Sequence, residues 1–495
     1  MEAHHKRLIA ATAVSVVVGM AAYFSMGYGL ITSIVVAAIS FVLIGILLSQ
    51  ILGLGKKRGT HGSAEWASKG AAGKFTGKDK PGFTLGKIGG KPFRVLSHIV
   101  SCAPTRSGKG IGAIIPALLE YPGSIICNDI KGENYAVTHR QRETLGSRPF
   151  LVDPFGITGG RKSRFNWLDF VDTNTPDCVS QAAALADLIV VPDEKGGSDH
   201  FDDSAKNLLQ GLILLVASDP DKSARNMGTV RAIITLPEPE FLALMQGASD
   251  HPGAYNIIAR SCAKIAGTPD KERGSIISTA QRHTAFLDDP RIAETLSGSD
   301  FDLSKIKEQN MTIYVVLPPD KLRAYRGFAR GFFGLALSAI TANQIVPKNK
   351  VLFLLDEFGQ LGKMTQFEDA VSLLSGMGAL FWFFIQDLSQ LRGVYQKWQT
   401  FLANSARQFF GCADFDTAKY ISDSLGSFTE TVDTGGETDS YVSRKLLNPD
   451  EVMKLSPETP IVFIQGEPPF QLERLAYFRE PEYKGLYDSN PYYQG

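Results

Sequence analysis

The fold class predicted by the 495-residue sequence is an α/β body behind an N-terminal two-helix transmembrane hairpin, with an all-α domain inserted into the body. Three observations predict it. Two uncharged apolar stretches open the chain, short apolar runs alternate with helical ones after residue 93, and residues 178–300 show helical periodicity with no convincing strand. Hydrophobic residues make up 44% and charged residues 21%, which excludes a largely disordered chain and leaves room for several domains. The five cysteines are scattered, with no CxxC and no His at ligand spacing. That argues against a disulfide framework or a zinc site and for a reducing compartment.

The apolar stretches come first. Residues 8–24 and 30–54 carry no charge, and each reaches the ~17–25 residues that a membrane-spanning helix needs. Only residues 25–29 separate them, enough for a tight turn and too few for an external domain. Lys6 and Arg7 precede the first stretch, and Lys56, Lys57 and Arg58 follow the second. The positive-inside rule then places both termini and the main body in the cytoplasm. A cleaved signal peptide fits poorly, because another span follows directly. A soluble buried hairpin fits poorly too, since the second stretch is apolar around its whole circumference. Residues 56–92 are rich in Gly and Lys and read as a basic juxtamembrane linker. Its lysines either meet anionic phospholipid headgroups or are simply solvated. The 51 basic and 51 acidic residues therefore cancel only in sum: residues 1–100 hold 12 basic against 3 acidic, and the rest 39 against 48. A collar of +9 precedes a body of −9.

In the body, candidate strands are 95–101, 124–128, 150–152, 312–317, 351–355, 380–385, 408–412 and 461–465. Their continuous apolar character indicates a parallel sheet covered on both faces. The first runs into Ala103-Pro104-Thr105-Arg106-Ser107-Gly108-Lys109-Gly110, and a helix follows from Ile111. This is close to the phosphate-binding loop GxxxxGK[ST], with Ala103 in place of the first Gly and Gly110 in place of the hydroxyl residue. Backbone N–H groups from Thr105 to Ile111 would cradle the phosphates of ATP, and Lys109 would bring an ammonium to them. Gly110 has no hydroxyl for Mg²⁺, so water or another hydroxyl must stand in. Gly-Lys occurs seven times in the chain, but only Lys109 lies between a buried strand and a helix.

The run Val351-Leu352-Phe353-Leu354-Leu355-Asp356-Glu357 supplies the second half. A wholly apolar strand ending in two carboxylates places Asp356 where Mg²⁺ would sit, and Glu357 where a carboxylate would polarise the attacking water. The next strand ends in Gln386, placed to sense the γ-phosphate or that water. Arg323, Arg326 and Arg330 share helical spacing, a basic face for nucleic-acid phosphates or for acidic groups across a subunit interface.

The stretches PTRSGKGIGAIIPALLEYPGSIICNDIKGENY, FLLDEFGQLGKM, IQDLSQL, NSARQFFGCADFDTAKYISDSLG and LLNPDEVMKL resemble the type IV secretion coupling proteins, the TraG/TraD-type conjugation ATPases. The resemblance implies a RecA-like P-loop ATPase domain formed by residues 93–177 and 301–495, an all-α domain at 178–300, and a membrane hairpin at 1–55. It further implies a homo-hexamer in the bacterial inner membrane with ATP and Mg²⁺ as cofactors. Its partners would be channel components of the secretion system and either a relaxosome (relaxase with single-stranded DNA) or secreted proteins. Ring ATPases of this kind complete each site with an arginine from the neighbouring subunit, for which Arg407 is the first candidate here and Arg392 the second. The alternative to a motor is a nucleotide-binding receptor that presents substrates to the channel. The near absence of an external loop departs from the family pattern and argues against docking through a periplasmic domain.

Overall fold

The computed structural model describes residues 61–191, 199–432 and 440–492. The two apolar stretches expected to form the membrane hairpin lie outside these residues. Among the described residues no helix is long and apolar enough to cross a membrane. The strands are β1 (Phe83–Ile88), β2 (Lys91–Val95), β3 (His98–Cys102), β4 (Ile125–Asp129), β5 (Arg148–Val152), β6 (Met311–Val316), β7 (Val351–Leu355), β8 (Ala379–Ile385), β9 (Ser405–Phe409), β10 (Ser427–Val432), β11 (Ser440–Lys445), β12 (Ile461–Phe463) and β13 (Phe470–Gln471).

The chain divides into two compact units. The larger one, Glu65–Leu425 with Leu447–Gly495, contains a nine-stranded sheet in the order β13-β12-β9-β3-β8-β7-β4-β6-β5. Strands β9 through β5 in that order run parallel, and β12 and β13 are added antiparallel at one edge. The sheet is therefore mixed, whereas the apolar runs alone suggested a parallel one. Strands β3, β4, β6, β7 and β8 are buried along their whole length. That burial is the reason they read as unbroken apolar runs with no alternation. Between β5 and β6 the described chain is helical, and helix Asp199–Ala217 packs against Asp177–Ile189, Ile257–Gly267 and Asp270–Thr284.

In the smaller unit, β10 and β11 form an antiparallel hairpin. Ser63 bridges Phe428, and the Ala64 N–H donates to the Ser427 carbonyl at 3.0 Å.

Several sequence expectations shift. Much of the segment read as a linker is folded: Lys69–Ala72 is a helical turn, and β1 and β2 pair antiparallel around Gly89 and Gly90, both left-handed at φ 56° and 74°. Two adjacent left-handed glycines are what a two-residue hairpin turn requires. Phe83, Leu85, Phe93 and Val95 join the main core. Lysines Lys74, Lys78 and Lys87 pair with Glu467, Glu482 and Glu480 rather than standing free. The candidate strand 95–101 is broken at Leu96 and Ser97, and the one at 408–412 ends at Phe409. Arg323 lies beyond the short helix Pro319–Leu322, so only Arg326 and Arg330 share the helix Arg326–Ala342.

His98, buried at the start of β3, accepts the Phe381 N–H at Nδ1 (3.0 Å) and stacks on that ring. Burial, then the nearby Lys350, pushes its pKa down to about 4 from 6.5. The folded state thus binds fewer protons than the unfolded one, and stability present above pH 6.5 is lost as pH falls toward 4. In thermal unfolding scans from pH 7.5 to 5, His98→Gln is expected to lose less stability than the parent, by about 1 kcal/mol per pH unit in that window.

Candidate functional site

Strand order assembles the site. β8 lies between β3 and β7, in register with both (Cys102 opposite Ile385, Leu355 opposite Phe383), so three strand ends converge. The loop after β3 starts with the Ala103 N–H donating to the Ile385 carbonyl at 2.8 Å. Arg106 and Gly108 take left-handed conformations, φ 65° and 89°. The chain then enters a π-helical turn, Gly110–Ile114, that continues as the helix Ile115–Glu120. This is the phosphate-loop geometry, a tight turn delivering backbone to a helix start.

Lys109 Nζ lies 2.7 Å from Asp356 Oδ1 and 2.5 Å from Glu357 Oε1. The other oxygen of Glu357 accepts from Gln386 Nε2 at 3.0 Å and from Gln360 Nε2 at 3.5 Å. Gln386 is itself held, its N–H donating to Gln390 Oε1 at 3.0 Å. Glu357 has a left-handed backbone, φ 51° and ψ 46°, uncommon for a residue with a Cβ and a mark of local strain at functional sites. Phe358, next along, is fixed by stacking on Tyr395 at 5.6 Å. Burial lowers the Lys109 pKa, but the ion pairs with Asp356 and Glu357 outweigh it and hold the ammonium above its ordinary value. The Asp356 carboxyl is mostly buried, and desolvation raises its pKa despite the attraction of Lys109.

The structure thus brings Lys109, Asp356, Glu357 and Gln386 together. Ser107 is buried with its hydroxyl unpartnered, while Thr105 and Arg106 are exposed on the loop. Gly110 is half-buried, and Ile111 packs against a small apolar cluster that includes Ile115, Leu475 and Tyr483. Arg407 stands apart from this cluster within its own subunit. It lies inside β9, donates to the Tyr420 hydroxyl at 2.8 Å and stacks over Phe463. Arg392 stacks over Trp398 at 4.6 Å.

Sequence reasoning missed two neighbours at the end of β4. Asn128 Nδ2 donates to the Asp356 carbonyl at 2.5 Å, while its Oδ1 is buried without a partner. Asp129 is fully buried and pushed up to about 7 by desolvation, against N–H donors from Tyr135 and Asn134. The available signal was the one used for Asp356: Ile125-Ile126-Cys127-Asn128-Asp129 is an apolar run ending in polar groups.

A glycine-containing loop after one strand, paired carboxylates two strands away and an amide on the strand between them sit on a mixed α/β sheet that fits a RecA-like ATPase domain. A model of the type IV secretory system conjugative DNA transfer family matches residues 58–490, and the chain belongs to that family. It is 27% identical over 482 residues to Protein VirD4 of Rhizobium radiobacter, covering 91% of this chain and 69% of that protein. Against the conjugal transfer protein TraG of Escherichia coli the identity is 26% over 512 residues, covering 89% and 80%. The fold is similar to that of the plasmid coupling protein TrwB in complex with ADP and Mg²⁺, with a TM-score of 0.64, 16% identity, and 83% of this chain and 94% of that one covered.

Because Lys109 is the cation shared by two carboxylates in a mostly buried place, removing the lysine alone leaves them facing each other uncompensated. Lys109→Met is expected to lower the melting temperature of the nucleotide-free chain by roughly 3–6 °C. Adding Asp356→Asn should recover part of that loss, a non-additivity read directly from melting curves of the three variants.

Proposed function

We propose that the chain is an ATP-hydrolysing coupling protein of the inner membrane. It would recruit single-stranded DNA with bound relaxase, or proteins, and drive them into a type IV secretion channel. The convergence of Lys109, Asp356, Glu357 and Gln386 at three adjacent strand ends carries this reading, since phosphoryl transfer is chiefly positioning and charge stabilisation. On this reading residues 93–177 and 301–495 form the motor, 178–300 the substrate-facing helical domain, and 1–55 the membrane anchor, with six copies in a ring.

Backbone N–H groups of residues 105–111 would hold the polyphosphate. Lys109, released from the two carboxylates, would turn to the β- and γ-phosphates. Glu357 would then be free to take a proton from the attacking water, with Gln386 holding the carboxylate in place through its amide. The donor set suits a hard cation: Asp356 is a mostly buried carboxylate at the strand end, and the unpartnered Asn128 Oδ1 beside it is a further oxygen acceptor. Mg²⁺ bound with the nucleotide would neutralise phosphate charge, held by Asp356 and by water where Gly110 lacks a hydroxyl. Arg407 remains the proposed trans-acting arginine only if assembly draws it away from Tyr420 and Phe463.

Glu357→Gln is expected to bind ATP within about threefold of the parent while turnover falls by at least ~100-fold. Nucleotide binding by fluorescence titration and phosphate release measure the two, and parental turnover in this variant would refute the mechanism. Lys109→Ala should abolish transfer in a mating or secretion assay while the protein still reaches the membrane; transfer that survives identifies a presenting receptor rather than a motor.

A further inference from the structure

Arg474 lies 365 positions after Lys109 in the sequence, beyond β13, yet its side chain rests on the phosphate loop. Nη1 donates to the Ser107 carbonyl at 2.8 Å. Nη2 pairs with Glu458, whose carbonyl accepts the Arg474 N–H at 2.8 Å. Nε is buried without a partner, and the side chain is 11% exposed. A Cβ placed on Gly108 would lie 1.9 Å from Arg474 Nη1, and one on Gly112 would lie 3.2 Å from Arg474 Cγ. The guanidinium therefore occupies the space that a side chain at Gly108 would fill. Gly108 is required twice, for its φ of 89° and for this approach.

The peptide between Ser107 and Gly108 is planar and trans, so its C=O and N–H point in opposite directions. In a phosphate loop the N–H side faces the ligand. A cationic donor on the carbonyl turns the Gly108 N–H away from Arg474, fixes that orientation, and polarises the peptide so that the N–H is a stronger donor. We propose that Arg474 is a positioning residue of the nucleotide site, setting the Ser107–Gly108 peptide for the polyphosphate of a nucleoside di- or triphosphate. This rests on the nucleotide-binding reading above. It also adds to Lys109 a second cation at the loop, supplied by a segment that the motif does not contain.

The test is titration of the full-length chain in detergent with ADP and Mg²⁺, beside melting curves without nucleotide. A hydrogen bond from a charged donor corresponds to about tenfold or more in affinity. Arg474→Met is expected to weaken ADP binding by ~10-fold, and Arg474→Lys to recover to within ~3-fold, with melting temperatures within about 2 °C of the parent. Parental affinity in Arg474→Met overturns the proposal. So does a loss that Arg474→Lys fails to recover and that follows a fall in melting temperature, since Arg474 would then only tie down the C-terminal segment. Should Arg474→Met not fold, Arg474→Gln takes its place: ~10-fold weaker ADP binding with unchanged melting supports the assignment, and parental affinity overturns it. Lys109→Ala separates the two levels. If it binds ADP like the parent, the nucleotide reading fails; if it loses ADP and Arg474→Met does not, only the role of Arg474 fails.

Discussion

One ammonium between two carboxylates sets the terms for the site. Lys109, Asp356 and Glu357 are each mostly buried, and none would tolerate that burial alone. The triad forms because β8 separates β3 from β7 by a single strand, so that a loop leaving one strand reaches the carboxylates leaving the other. Gln386 follows from the same order, since it ends the intervening strand and meets Glu357 from the side opposite the lysine. On the proposed function, an incoming polyphosphate would compete with the carboxylates for the lysine and so free Glu357 to act on water.

The site is also enclosed by chain remote in sequence. The segment after residue 447 contributes the antiparallel edge strands, lays Arg474 on the phosphate loop, and continues past the helix that follows it. There Tyr483 donates to Glu120 and Lys87 pairs with Glu480. Asn490 and Tyr492 then bind Glu133 and the Lys131 carbonyl, in the loop and helix start beyond β4. The C-terminal segment therefore buttresses the nucleotide end of the sheet at several points, each too distant in sequence for a local motif to report.

What was legible in the sequence followed from burial on both faces. A strand covered by helices on each side must be apolar throughout, so a charged residue at its end stands out. Asp356 was found in this way and Asp129 carried the same signal unread, whereas Lys109 was read from a motif lying between a buried strand and a helix. The β1–β2 hairpin was not legible as a fold. Its glycines serve the turn and a bulge and its Lys87 pairs with Glu480, so composition imitated a solvated linker. Arg407 shows another limit of local reading, a cation in a suggestive segment whose partners within the chain, Tyr420 and Phe463, come from other elements.

By itself the sequence determined the α/β class, the family, and which loop and strand end to bring together. These depend on contiguous residues whose chemistry is constrained by local backbone and by burial. Only the tertiary structure decided which cations are free and which are engaged, that the sheet gains an antiparallel edge, and that an arginine near the C-terminus stands behind the phosphate loop. Such facts depend on which distant groups share a buried space, and pairing energy there is set by distance and desolvation rather than by position along the chain.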